Sequence, residues 1–292
     1  MGAAAVGPTP FLGFDIQAGG APASDLHFRV VDAPGPWLEV CWRLLRTEFG
    51  PEVLYDLGDY ERLLTRTAGG GDDSFLMVAA HLLDGDRAPI VGVLSGSLLR
   101  VIDAAGPDGQ GIWLFAIGHQ ITAAGLRQGQ GGGVGRRLLE ATEEAVGRLV
   151  ATRRGRLYGL LAEAQPSAFP YIARVGFRWP RGVRYWQPPL DFDAAGLPVH
   201  AEVEEILMIR PAAGQPEAWI DRTFLARCVA TLYRRWSLDM VRERLSPAAM
   251  AAAERYVMGG VFGRFRAQLP VADRAPRDRI HAPPRIPPEA AP

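Results

Sequence analysis

Nothing in this sequence limits the possible folds as sharply as a glycine-dense turn held between a strand and an amphipathic helix. Glycine stands at 125, 129, 131, 132, 133 and 135. The run Ile112–Ile121 ahead of the turn reads as a strand. Behind it, Val134, Leu138, Ala141, Ala145 and Leu149 recur at helical spacing beside Leu139, Val146 and Val150. Arg136, Arg137, Glu140, Glu143, Glu144 and Arg148 fill the remaining positions as an ordinary solvated face. Glycine is required where a backbone takes positive φ or approaches a ligand with no Cβ in the way. The first amides of a helix have no internal partners and carry about half a positive charge. Strand, glycine turn and helix start together predict an anion cradle for a phosphate or pyrophosphate. The plainer alternative is a surface loop that joins two elements.

Two common phosphate motifs are excluded. A Walker-type loop needs Gly-Lys-Ser/Thr, and the chain has no lysine. A dinucleotide fingerprint needs glycine at i, i+2 and i+5. Starting from Gly129, Gly131 or Gly133, the third position is Val134, Arg136 or Leu138. The pattern that fits is Gln/Arg-x-x-Gly-x-Gly/Ala, met by Gln130, Gly133 and Gly135. A second stretch, Phe169-Pro170-Tyr171-Ile172-Ala173-Arg174-Val175-Gly176-Phe177-Arg178, sets a tyrosine on a short helix before Gly-Phe. In these two motifs the chain resembles the GNAT superfamily of N-acetyltransferases, over roughly residues 26 to 211. Tyr171 stands five residues before Gly176, where the family usually places it four before.

The resemblance implies an α/β (α+β) fold: a GNAT-like mixed, mostly antiparallel central sheet flanked by helices. It implies acetyl-CoA or another acyl-CoA as co-substrate, no metal, and an amine acceptor, either a small molecule or a protein. Direct attack in a ternary complex would carry the acyl group across. The cofactor positions would be Ile121, Thr122 and Ala123 at the end of the strand, then Gln130, Gly131, Gly132, Gly133, Val134, Gly135 and Arg136 around the turn. Backbone amides near Ile121–Ala123 would polarise the thioester carbonyl, and Tyr171 would protonate the departing thiolate. Transfer to a hydroxyl, transfer of a longer acyl chain, and a non-catalytic module that only binds acyl-CoA or a metabolite are the alternatives.

Acyl transfer also needs a base for the acceptor. Alternation along Ile112–Ile121 puts Trp113, Phe115, Ile117, His119 and Ile121 on one face. An imidazole's ordinary pKa, about 6.5, suits a base; a histidine among such bulky neighbours also suits a hydrogen-bonded core. Glu163, at the end of the next strand, is the other candidate, or else a solvated strand end. His27, His81, His200 and His281 have no ligand spacing, so no metal site is expected. Cys41 and Cys228 fall in apolar stripes and are expected to be structural.

The remainder sorts by pattern. Residues 1–24, rich in Gly, Ala and Pro, read as a mobile leader, and 25–212 as the acyl-CoA-binding domain. Within it, Leu26–Val31 reads as a strand, Pro36 opens a helix, and a shorter helix surrounds Tyr60–Leu64. Phe75–Leu83 and Ile90–Ile102 form a hairpin. Leu157–Leu161, Val183–Trp186 and Ile206–Ile209 read as strands, and Ser167–Val175 as a short helix. Residues 213–269 read as a helical extension, one helix carrying Trp219, Ile220, Phe224, Cys228, Leu232 and Trp236 and another opening at Ser246-Pro247. That extension packs on the domain, shapes the substrate site, or makes a homodimer. The proline-rich tail, 270–292, is expected to be extended without ladder hydrogen bonds.

Basic and acidic residues balance at 32 each, so no net field draws nucleic acid or an anionic membrane. Two cysteines make no disulfide framework, no basic signal segment opens the chain, and no apolar run reaches the ~18 residues of a membrane span. A cytoplasmic protein is expected. The lack of lysine and asparagine, both with A-rich codons, points to a GC-rich, bacterial source.

Overall fold

The computed structural model describes residues 15–16, 26–47, 49–50, 54–68, 74–82, 90–105, 109–122, 133–164, 174–180, 182–212, 219–220, 222–269 and 278–281. In chain order the elements are β1 (Asp15–Ile16), β2 (Leu26–Val31), α1 (Pro36–Arg46), α2 (Leu57–Ala68), β3 (Ser74–Leu82), β4 (Ile90–Ala105) and β5 (Gly111–Thr122). There follow α3 (Val134–Thr152), β6 (Arg156–Ala164), β7 (Trp179–Pro180), β8 (Tyr185–Gln187), β9 (Val203–Pro211) and β10 (Trp219–Ile220). Next is α4 (Arg222–Tyr233), continued by a π-helical stretch, Arg234–Asp239. Then α5 (Pro247–Glu254) passes through π-helical Arg255–Val261 into α6 (Phe262–Ala267), and β11 (Asp278–His281) comes last.

The chain forms two compact units, one of Met1–Leu99 with Ile117–Arg153, the other of Arg100–Ala116 with Arg154–Pro292. β4 and β5 contribute to both. In the first unit the strand order is β1-β2-β3-β4-β5. β1–β2, β2–β3 and β3–β4 are antiparallel, with Val30 opposite Val78 and Val78 opposite Leu94. β3 and the first half of β4 are buried along almost every residue, as expected for strands covered on both faces. Pro36 begins α1 as its type allows, and Leu38, Cys41 and Leu45 form its buried face. α3 buries Val134, Leu138, Ala141, Ala145 and Leu149, the spacing read from the sequence, together with Leu139, Thr142, Val146 and Val150.

In the second unit the order is β4-β5-β6-β9-β8, with β6–β9 and β8–β9 antiparallel. α4 buries Leu225, Cys228, Val229, Leu232 and Tyr233. Ser246 caps α5 as expected, accepting from the Ala249 amide at 3.2 Å with Pro247 in the first turn. A separate sheet runs β10-β11-β7, antiparallel throughout.

The mostly antiparallel sheet with helices beside it is the architecture expected. Three local readings differ. Trp219 and Ile220 do not join the following helix; they pair with Arg279 and Asp278, and α4 begins at Arg222. An aromatic and a β-branched residue suit a strand once a partner exists, and that partner lies far along the chain. The tail does enter a ladder: Asp278–His281 lies between Pro276 and Pro283 with no proline inside, so its amides can donate. Asp15 and Ile16, within the expected leader, pair with Arg29 and Phe28. The expected helix over Ser167–Val175 lies outside the described residues, apart from Arg174 and Val175.

Candidate functional site

The glycine turn delivers the chain to α3 through Gly133, whose φ of 74° and ψ of 21° are left-handed. A side chain there would be strained, although among the described residues nothing lies within 4 Å of its Cβ. Among the described residues no side chain caps this helix and no acid lies in its first turn. The first intrahelical bond runs from the Arg137 amide to the Gly133 carbonyl at 2.9 Å. The amides of Val134, Gly135 and Arg136 therefore precede the helical ladder, at the end where the dipole favours an anion.

Two contacts fix that helix start against the sheet of its own unit. The Gln120 side-chain amide donates to the Gly135 carbonyl at 2.9 Å, tying the first turn of α3 to β5. Gly92 on β4 leaves room for the approach: a Cβ would lie 3.3 Å from the Ile121 carbonyl oxygen and 3.4 Å from Val134 and Leu138 methyls. Ile121 and the backbone of Thr122 end β5. Ala123, Gln130, Gly131 and Gly132 lie outside the described residues, as does Tyr171. Arg136 is exposed and pairs with Glu140 at 2.8 Å.

His119, one residue before Gln120, is half-buried. Its Nδ1 lies 3.5 Å from the Ser95 hydroxyl, and its ring meets Phe49 edge-on at 4.7 Å. It is thus neither sealed in the core nor open to water.

The other candidate base lies in the second unit. Glu163 is opposite Leu207 on β9, and Tyr185 on β8 is opposite Glu205. Because Glu205 and Leu207 are two apart, Glu163, Leu207, Glu205 and Tyr185 share one face of the sheet. The Tyr185 hydroxyl donates to Glu163 Oε1. Burial first, then the Glu205 carboxylate, push Glu163 up to about 8, and the Tyr185 hydrogen bond pulls against them. Burial also raises Glu205 and lifts Tyr185 well above the ordinary phenol range. A carboxyl that exchanges its proton near neutrality is what general acid–base work requires. Both cysteines are buried, and burial pushes Cys41 up to about 12 and Cys228 up as well, so neither is a ready nucleophile.

The chain is similar to several solved structures. It is 16% identical to Arabidopsis thaliana NAA60 in complex with acetyl-CoA, over 65% of this chain and 99% of that one, with a TM-score of 0.44. An aminoglycoside acetyltransferase from an uncultured soil metagenomic sample is 20% identical over 60% of this chain and 99% of its own, with a TM-score of 0.36. Escherichia coli ElaA is 15% identical, over 63% and 99% respectively, with a TM-score of 0.34. No protein-family model and no curated sequence matches the chain.

Sequence reasoning missed Gln120, Tyr185, Glu205 and Tyr233. Gln120 had a signal, since it adjoins the strand end that feeds the turn. The other three had none, because their meeting depends on the register of β6, β9 and β8 and on the packing of α4 against Tyr185. Among the described residues, no group of three or more His, Cys, Asp or Glu could hold a metal ion, and no helix is long and apolar enough to cross a membrane.

Proposed function

We propose that this protein is an acyl-CoA-dependent acyltransferase that passes an acetyl or other acyl group to an amine by direct attack. The observation that carries the reading is the entry into α3. A left-handed glycine begins α3 directly after the glycine-rich segment of the sequence, and among the described residues no side chain caps that helix start, so its first amides are available to an anion. With Gln130, Gly133 and Gly135 in the pattern described above, that anion is the pyrophosphate of acyl-CoA.

In this reading the backbone amides at Ile121–Ala123 polarise the thioester carbonyl, and Tyr171 gives its proton to the departing thiolate. Glu163, held by Tyr185, takes the proton of the attacking amine. His119 is a second candidate base, favoured by its contact with Ser95 and its place on β5 two residues before Ile121. Replacing each in turn separates them: Glu163→Gln or His119→Gln will abolish the acid limb of the pH–rate profile, and only one of them will.

The decisive test is Gly133→Asp. Aspartate tolerates the left-handed region better than most residues, so the strain at this one position is kept small and the folded state of the variant is checked by its Tm. Its charge would stand where the pyrophosphate belongs. Acetyl-CoA affinity measured by calorimetry should fall by ~10-fold or more, about 1.4 kcal/mol. Unchanged affinity in a folded variant would sink the cofactor assignment. Tyr171→Phe should lower kcat by ~10²-fold or more with little change in acetyl-CoA affinity, the range of a lost general acid; near-normal turnover would reduce Tyr171 to a packing residue.

A further inference from the structure

Tyr185 occupies a three-residue strand, too short to fix a side chain unaided, yet it is wholly buried and its hydroxyl is aimed at Glu163. What fixes it comes from the C-terminal helices, at three successive residues. Gln268, just past α6, grips the backbone of Arg184 in both directions: its oxygen accepts from the Arg184 amide at 2.8 Å and its amide donates to the Arg184 carbonyl at 3.0 Å. The Tyr185 ring lies against Tyr233 of α4 at 5.7 Å and edge-on to Phe265 of α6 at 6.2 Å. The Tyr233 hydroxyl then donates to the Trp186 carbonyl. A packing role alone does not require that the phenol held this way end on a carboxylate.

We propose that Tyr185 is a positioning residue for the proton-accepting carboxylate of Glu163, and that the helices 222–267 serve the reaction by holding that phenol in place. This rests on the acyltransferase reading above. The groups facing Glu163 are Glu205 from β9, Tyr185 from β8 and Tyr233 from α4; Phe265 of α6 brings no charge. Arg264, the cation that acts on Tyr233, is paired with Glu202, and Arg184 is paired with Glu204. The charged form of Glu163 therefore depends on the Tyr185 hydrogen bond, which opposes burial and the Glu205 charge.

The test uses the full chain labelled with carboxyl-13C glutamate, the Glu163 signal being identified by its loss in Glu163→Gln. Tyr185→Phe keeps the ring and removes the hydroxyl, so Glu163 should titrate ~1 unit or more higher, the equivalent of one hydrogen bond to a charged group. The acid limb of acetyl-CoA cleavage, followed with water and with a panel of primary amines, should move up by the same amount. Tyr233→Phe, which frees the clasp on Trp186 and the contact of the Tyr233 hydroxyl with Tyr185, should move both in the same direction by less. An unmoved titration, or an equal loss of rate at every pH, makes Tyr185 structural and overturns the proposal. A Tyr233→Phe protein with wild-type titration removes the helices from it. Wild-type protein that titrates as described but binds no acetyl-CoA in the calorimeter overturns the proposed function, and with it the catalytic use of Glu163.

Discussion

The turn entering α3 and the cluster around Glu163 are built on opposite principles. The first is made of backbone: a left-handed Gly133, the start of a helix, and a glutamine that bonds a carbonyl. In the proposed function its chemistry would be carried by amides that every residue possesses, so it would tolerate changes in side chains and fail when a side chain intrudes. The second is made of side chains from β6, β8, β9 and α4, each placed by a different part of the chain. Its chemistry lies in one carboxyl whose proton affinity is set by burial, a like charge and a phenol. A backbone site is robust and local; a side-chain site of this kind is tunable and depends on distant segments.

The largest expected effect follows from that dependence. A chain ending at Ala212 would uncover Tyr158, now 4.4 Å from the Phe224 ring, and Tyr185, now fully buried. It would also remove Leu225, Val229, Leu232 and Phe265 from the core. Fully burying each such side chain is worth ~1.5–3 kcal/mol, and a domain's whole stability is only ~5–15 kcal/mol. The shortened protein should aggregate, or melt well below the full chain. A monodisperse product with an unchanged Tm would mean that the helices are an independent module and that the side-chain site does not need them.

A smaller effect sharpens the electrostatic half of the comparison. Glu163 is raised from 4.5 to about 8 in the fold. A carboxyl raised in this way contributes stability fully below its unfolded pKa and loses it as pH climbs through the folded value. Wild-type stability should therefore drain away between about pH 4.5 and 8 relative to Glu163→Gln, which mimics the protonated acid at every pH. The Tm difference between the two, Gln minus wild type, should widen from about pH 5 to about pH 9. A difference independent of pH would show that Glu163 titrates as an ordinary surface acid.

The smallest effect belongs to the backbone site. Arg136 stands in its first turn, but its guanidinium is exposed and paired with Glu140 four residues on. Such a pair is worth ~0.3–0.5 kcal/mol. Arg136→Ala should shift Tm by little, and should change acetyl-CoA affinity within ~threefold if amides hold the anion. A loss approaching that of Gly133→Asp would transfer the anion site from the backbone to this side chain.

The two sites also differ in how far the sequence alone could reach. The strand and the amphipathic helix on either side of the glycine-rich segment were legible, because each is a local pattern: period two, and apolar residues three and four apart. The same holds for the cap at Ser246-Pro247 and the buried stripe of α3. What tertiary structure decided was partnership. Whether Trp219 and Ile220 extend a helix or form a strand depended on Asp278 and Arg279, some sixty residues away. Whether Glu163 is a solvated strand end or a carboxyl with its proton held near neutrality depended on Tyr185 and Glu205 arriving on the same face. Periodicity records which way a side chain points along its own element. Proton affinity is set by what stands opposite, and that is a property of register and packing between segments far apart in the chain.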